Sequence, residues 1–183
     1  MKGAALDQPN NFGWTPLMHA CRNGHTDVVV TLLQRQAEIS VKTRYGITAV
    51  TLAARGGHIQ VVRKLVEAGI DLNNSGNGSM CEFTPLLVAA EHGHDAVLRF
   101  FLDRGCDVNY KTASTGLTPL MLAAVNGHLK TAQILIESGA DANLTSVNNR
   151  TALDMATAMG KSEVAGYLDR KTTNKTAKGK PVL

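Results

Sequence analysis

Five times along the chain a threonine opens a short run of small and apolar residues, followed by a glycine and a second apolar series. Thr15-Pro16-Leu17-Met18-His19-Ala20-Cys21 returns as Thr48-Ala49-Val50-Thr51-Leu52-Ala53-Ala54 and as Thr84-Pro85-Leu86-Leu87-Val88-Ala89-Ala90. It returns again as Thr118-Pro119-Leu120-Met121-Leu122-Ala123-Ala124 and, eroded, as Thr151-Ala152-Leu153-Asp154-Met155-Ala156-Thr157. The intervals between these threonines are 33, 36, 34 and 33 residues. Behind each run stands Gly24, Gly57, Gly93, Gly127 or Gly160, and the first four are followed by His25, His58, His94 and His128. Beyond the glycine, apolar residues such as Val28, Val29, Leu32 and Leu33, or Val61, Val62, Leu65 and Val66, keep helical spacing. Each period therefore predicts two helices joined by a tight turn.

The recurring residues have mechanical roles. A Thr hydroxyl accepts from an orphan amide at a helix start, an effect of about 1 kcal/mol. Proline just inside the start removes an amide that has no partner. Small Ala pairs let two helices approach closely, and the glycine supplies the left-handed turn that ends the first helix. Gly69, Gly105 and Gly139 are placed to end the second helices, where the first period has Gln36. Polar loops ending in Asn73, Asn109 and Asn143 reverse the chain.

This pattern resembles the ankyrin repeat over about residues 11–170. The resemblance implies an all-α ankyrin-repeat solenoid of five stacked helix-turn-helix repeats with projecting finger loops. Neighbours would share one core, and stability would be nearly a sum over interfaces. The expected boundaries are a lead-in 1–10, repeats 11–42, 43–78, 79–112, 113–145 and 146–170, and a disordered basic tail 171–183. Where the family usually has His, third after the Thr, this chain has Met18, Thr51, Leu87, Met121 and Asp154, so the bonds of that His are expected to be missing. The last repeat has Gly160-Lys161 in place of Gly-His and Gly166 in its second helix, and reads as a worn cap. The stretch Asn73–Phe83 is three residues over the usual length, and its Gly, Asn and Ser content leads one to expect a mobile loop. Only ten residues precede the first repeat, so the flank of Leu17 and Val29 is expected to lie open. That reads as a fragment, a short isoform, or a first repeat that meets a partner.

Composition adds limits. The chain of 183 residues is 44% hydrophobic and 4% aromatic. It has neither a membrane-length apolar run nor a secretory signal at its start. Cys21, Cys81 and Cys106 lack metal-ligand spacing and fit idle thiols in a reducing, cytoplasmic setting. The net charge of +4 comes entirely from Lys171, Lys175, Lys178 and Lys180; residues 1–170 hold 15 bases and 15 acids. Bases and acids are interspersed there with no basic aromatic platform, so nucleic acid is not an expected partner. The tail reads as solvated, with a sorting signal, an anionic-surface contact or a linker as alternatives. No nucleophile elbow, Walker loop or dinucleotide fingerprint is present, and no cofactor is implied. The Gly-His histidines read as turn residues that pack and hydrogen-bond, and His19 as a half-buried packing residue. His92 and His94 flank Gly93 without a third ligand.

What remains is a surface. In the ankyrin family, partners lie along the face formed by finger loops and first helices. The matching positions in the first three repeats include Phe12, Trp14, Arg22 and Asn23, then Arg44, Tyr45, Ile47 and Arg55, then Phe83, Glu91 and His92. Asn11, Gly56, Met80 and Cys81 complete that set. Later repeats offer Ser114, Thr115, Leu117, Val125 and Asn126, then Val147, Asn148, Arg150, Ala158 and Met159. The early set holds the only Trp and three Arg, types that dominate interface hot spots, so a partner is expected there. The competing reading is that Trp14 and Phe12 only pack their finger loop.

A narrower resemblance links Asn11–Met18, Arg55–His58, His92-Gly93-His94 and Tyr167-Leu168-Asp169 to the SamCystin family of ankyrin and sterile-alpha-motif proteins. It implies a ciliary scaffold, monomeric here, that meets other ciliary ankyrin proteins and a NimA-related kinase. A regulator masking one kinase or transcription factor stays open beside it, and a metal-dependent hydrolase stands further off.

Overall fold

Helix caps set the frame. In the computed structural model, which describes residues 6–72 and 83–177, the Thr hydroxyls accept from the amides of Met18, Thr51, Leu87, Met121 and Asp154. They open the first helices α1 (Pro16–Asn23), α3 (Ala49–Arg55), α5 (Pro85–Glu91), α7 (Pro119–Asn126) and α9 (Ala152–Ala158). Second helices follow as α2 (Thr26–Gln34), α4 (Ile59–Glu67), α6 (Asp95–Leu102), α8 (Leu129–Glu137) and α10 (Ser162–Ala177). The described residues are thus all-α, in consecutive helix pairs. At the turn after α1, Gly24 has φ +73, which explains the glycine there. Gln36 occupies the same left-handed region at φ +63, without a glycine's freedom.

The chain forms two compact units, Met1–Ala89 and Ala90–Leu183. In the first, α1 packs on α2 and α3, and α4 packs on α2 and α3. Its core is Leu17, Met18, Cys21, Val29, Val50, Leu52, Val61, Val62 and Leu65, all buried. In the second, α7 packs on α8 and α9, α8 on α6 and α10, and α9 on α10. Phe101, Leu98, Leu120, Met121, Ile134, Leu135 and Leu168 fill that core.

Several expectations need correction. Leu17 and Val29 do not lie open: they are 1% and 0% exposed, because α1 and α2 cover them with α3 and α4. Val28, one position along α2, is the exposed residue. His19 is exposed rather than half-buried, since α1 turns Leu17, Met18, Ala20 and Cys21 inward. The bonds of the family's usual His are not all missing. Thr51 Oγ1 lies 2.9 Å from Thr48 Oγ1, and Asp154 accepts from the Thr151 amide at 2.9 Å, closing a reciprocal cap. Those Thr151 bonds, with Arg150 nearby, hold the Asp154 carboxyl below its ordinary value. Its contribution is present above the ordinary carboxylate range and fades as pH falls through the lowered value. Residues 171–177 of the expected tail are helical, as the end of α10. Most of the expected long loop, with Met80 and Cys81, lies outside the described residues.

Burial pushes the Cys21 thiol from its ordinary 9.0 to about 12. The unfolded chain ionises first, so this thiol's contribution is full below about pH 9 and is lost as pH rises toward 12. Denaturant titrations at pH 8 and pH 10.5 are expected to show a fall that a Cys21→Ala variant does not share.

Candidate functional site

Among the described residues, four finger loops are small hydrogen-bonded hairpins, each organised by one polar residue near its base. In the first, Asn10 Oδ1 accepts from the amides of Phe12 and Trp14 at 2.9 and 3.0 Å. The Asn10 amide donates to the Trp14 carbonyl at 2.9 Å. Thr43 repeats the device: its amide donates to the Ile47 carbonyl, and its hydroxyl accepts from the Ile47 amide at 3.1 Å. Thr112 and Ser146 do the same toward Leu117 and Arg150 in the second unit. A residue at positive φ follows in each hairpin: Gly13, Gly46, Gly116 or Asn149. The signal was in the sequence, as an Asn, Thr or Ser five or six residues before each capping Thr.

Adjacent hairpins touch through backbone. A side chain on Gly13 would meet the Arg44 nitrogen and the Thr43 Cα at 3.4 Å, so the first finger lies against the second. That contact puts the finger bearing Phe12 and Trp14 beside the finger bearing Arg44 and Tyr45. Phe12 and Tyr45 stand 69% and 59% exposed, a large aromatic area left in water. Trp14 is half-buried, its ring centroid 5.3 Å from the Arg22 guanidinium carbon and 5.1 Å from the His19 ring. Asn10 Nδ2 lies 3.4 Å from His19 Nε2, tying the finger to α1. Trp14 therefore packs its loop and still presents an edge with a cation. Replacing Asn10 by Ala removes the shared acceptor and is expected to cost about 1 kcal/mol. A red shift of the single Trp emission would report the loosened finger.

The other expected positions divide. Arg44 and Arg55 are exposed, and Ile47 is half-buried. Asn23 is spent on its own helix end, its Nδ2 donating to the His19 carbonyl at 3.0 Å. Phe83 is half-buried, just before the Thr84 cap. Glu91 and His92 belong to the second unit, where Glu91 Oε2 and His92 Nδ1 stand 3.7 Å apart. The His92 and His94 rings stack with centroids 6.0 Å apart.

Backbone carbonyls on this face have a second duty. His58 Nε2 donates to the Arg22 carbonyl at 3.0 Å, and His128 Nε2 to the Glu91 carbonyl at 3.0 Å. Each bond fastens a turn to the end of the preceding first helix. These histidines act as clamps between helix pairs. Among the described residues, no three His, Cys, Asp or Glu side chains gather as a metal set. Among them, too, no helix is long and apolar enough to cross a membrane.

Capped helix pairs, glycine turns and paired fingers define a repeat protein of the helix-pair class. The chain matches the family model described as ankyrin repeats (3 copies) over residues 1–76, 29–112 and 86–178, and it belongs to the ankyrin-repeat family. Ankyrin repeats are generally protein-interaction modules. A comparison with curated proteins finds no match, so the narrower resemblance to sterile-alpha-motif scaffolds gains no support from a relative.

Proposed function

We propose that the chain is a non-catalytic interaction module whose protein partner docks on the fingers and first helices of the first two pairs. The observation that carries this reading is the Gly13 contact, which gathers Phe12, Trp14, Arg44 and Tyr45 on neighbouring fingers. Exposed aromatics beside Arg are what interface hot spots use, because they offer large area with few rotamers to fix. Arg22 and Arg55, in the last turns of α1 and α3, extend the surface along the helices. Phe83 on the first unit and, separately, Glu91 and His92 on the second are proposed as contacts from their place in the repeat.

Replacing Trp14, Arg44 and Arg55 together by Ala is expected to weaken partner binding at least tenfold, which is about 1.4 kcal/mol. Both Arg side chains are exposed, so the thermal midpoint should fall no further than in Trp14→Ala alone. Unchanged affinity would remove the surface from consideration. A cytoplasmic, ciliary setting, with other ankyrin proteins and a NimA-related kinase as partners, is the finer form of the proposal. It is supported by the stretches Asn11–Met18 and Arg55–His58. Proximity labelling from a tagged chain in ciliated cells tests it, and labelling without ciliary proteins would count against it.

A further inference from the structure

Resting on that reading of the first unit's face, we infer that the partner offers it an acidic, extended protein segment. In the first two helix pairs the charges are sorted by element. From Gln8 through Thr26 and from Ile39 through Val66 there is no Asp or Glu. The fingers and first helices inside those stretches carry Lys42 and Arg44 on the second finger and Arg22 and Arg55 at the ends of α1 and α3. The unit's described acids stand elsewhere. Asp7 is in the lead-in, where its carboxylate accepts from the Glu38 amide at 2.8 Å, and Asp27 is in the first turn of α2. Glu38 is bonded to Ser40 behind α2, Glu67 is paired with Lys64 at 2.7 Å, and Asp71 follows α4.

The second unit lacks this sorting. Its corresponding fingers and first helices set Lys111 and Arg150 against Glu91 and Asp154. A one-sign face steers a partner of opposite charge and rejects like charge. The placement also selects length. Arg44 lies on a finger and Arg55 at the far end of α3, a helix of 7 residues, or about 10 Å at 1.5 Å per residue. An extended segment, at about 3.3 Å per residue, covers that helix in three or four residues, where a helical one needs about seven. The aromatic edge of Phe12, Trp14 and Tyr45 then takes an apolar residue within the acidic stretch. The Trp14 ring already faces Arg22 and His19, which makes it a poor open platform for a nucleic-acid base.

A random twelve-residue peptide display library, panned on the wild-type protein and on an Arg44→Glu/Arg55→Glu variant, tests the inference. Wild type should retain peptides at least threefold enriched in Asp and Glu, and the reversed variant should lose that enrichment while keeping its thermal midpoint. Synthetic copies should shift the emission of Trp14, the chain's one Trp, and bind at least tenfold more weakly to the reversed variant. Peptides that shift Trp14 without acidic enrichment would overturn the partner class and leave the site standing. Peptides that bind a Trp14→Ala variant equally well and leave Trp14 emission unchanged would overturn the site itself. Tighter binding of a twelve-residue oligothymidylate than of the best peptide would overturn the inference in favour of nucleic acid.

Discussion

Truncation of Phe101 to Ala is expected to destabilise the second unit by about 3–5 kcal/mol, the range for a large aromatic removed from a closed core. Phe101 is fully buried in α6, edge-on to Phe100 with ring centroids 6.2 Å apart. In a repeat array each pair depends on its neighbours, so a void under α6 also loosens the α8 contact it shares. Urea titration followed by helical circular dichroism should show an early transition absent from the wild type. A single transition at the wild-type midpoint would mean that the site collapses around the smaller side chain.

Gly24→Ala carries the second large effect, about 2–4 kcal/mol, from two causes that act together. The backbone there has φ +73, and a Cβ would stand 2.5 Å from His58 Nδ1 and 2.7 Å from its Cε1. The ring cannot swing aside freely, because its Nε2 holds the Arg22 carbonyl at 3.0 Å. Thermal unfolding of Gly24→Ala, His58→Ala and the double variant separates the causes. The double variant should lose less than the sum of the single losses, since removing the imidazole relieves the clash but not the strain. Strict additivity would show that the ring and the glycine do not meet.

Much of this architecture was legible because it is set by short-range rules. A Thr before an apolar run, a Pro inside the start and a Gly at the stop each act within one turn of helix. Even Gln36 in the left-handed region followed from its place after α2. Burial of Leu17 and Val29 was not legible, because it depends on which face of α1 and α2 meets α3 and α4 rather than on the chain's beginning. The reciprocal cap of Asp154 was written as Thr-x-x-Asp, yet the absent family His at that position drew the opposite expectation. Of the candidate surface, residue types and positions were readable. That Gly13 lets one finger lie on the next was not, because it is a contact across about 30 residues of chain. The clamps of His58 and His128 onto carbonyls one repeat back are of the same long-range kind.

The face of the first unit is the centre of the account, and a charge-matched comparison tests it most directly. The partner captured by wild type would be titrated against three proteins. These are wild type, the Trp14→Ala/Arg44→Ala/Arg55→Ala variant, and an Arg35→Ala/Arg63→Ala variant that removes the same charge at the end of α2 and within α4. The account predicts a Kd at least tenfold weaker for the first variant and within twofold of wild type for the second. Equal affinity for all three, or a loss confined to the second variant, would contradict it.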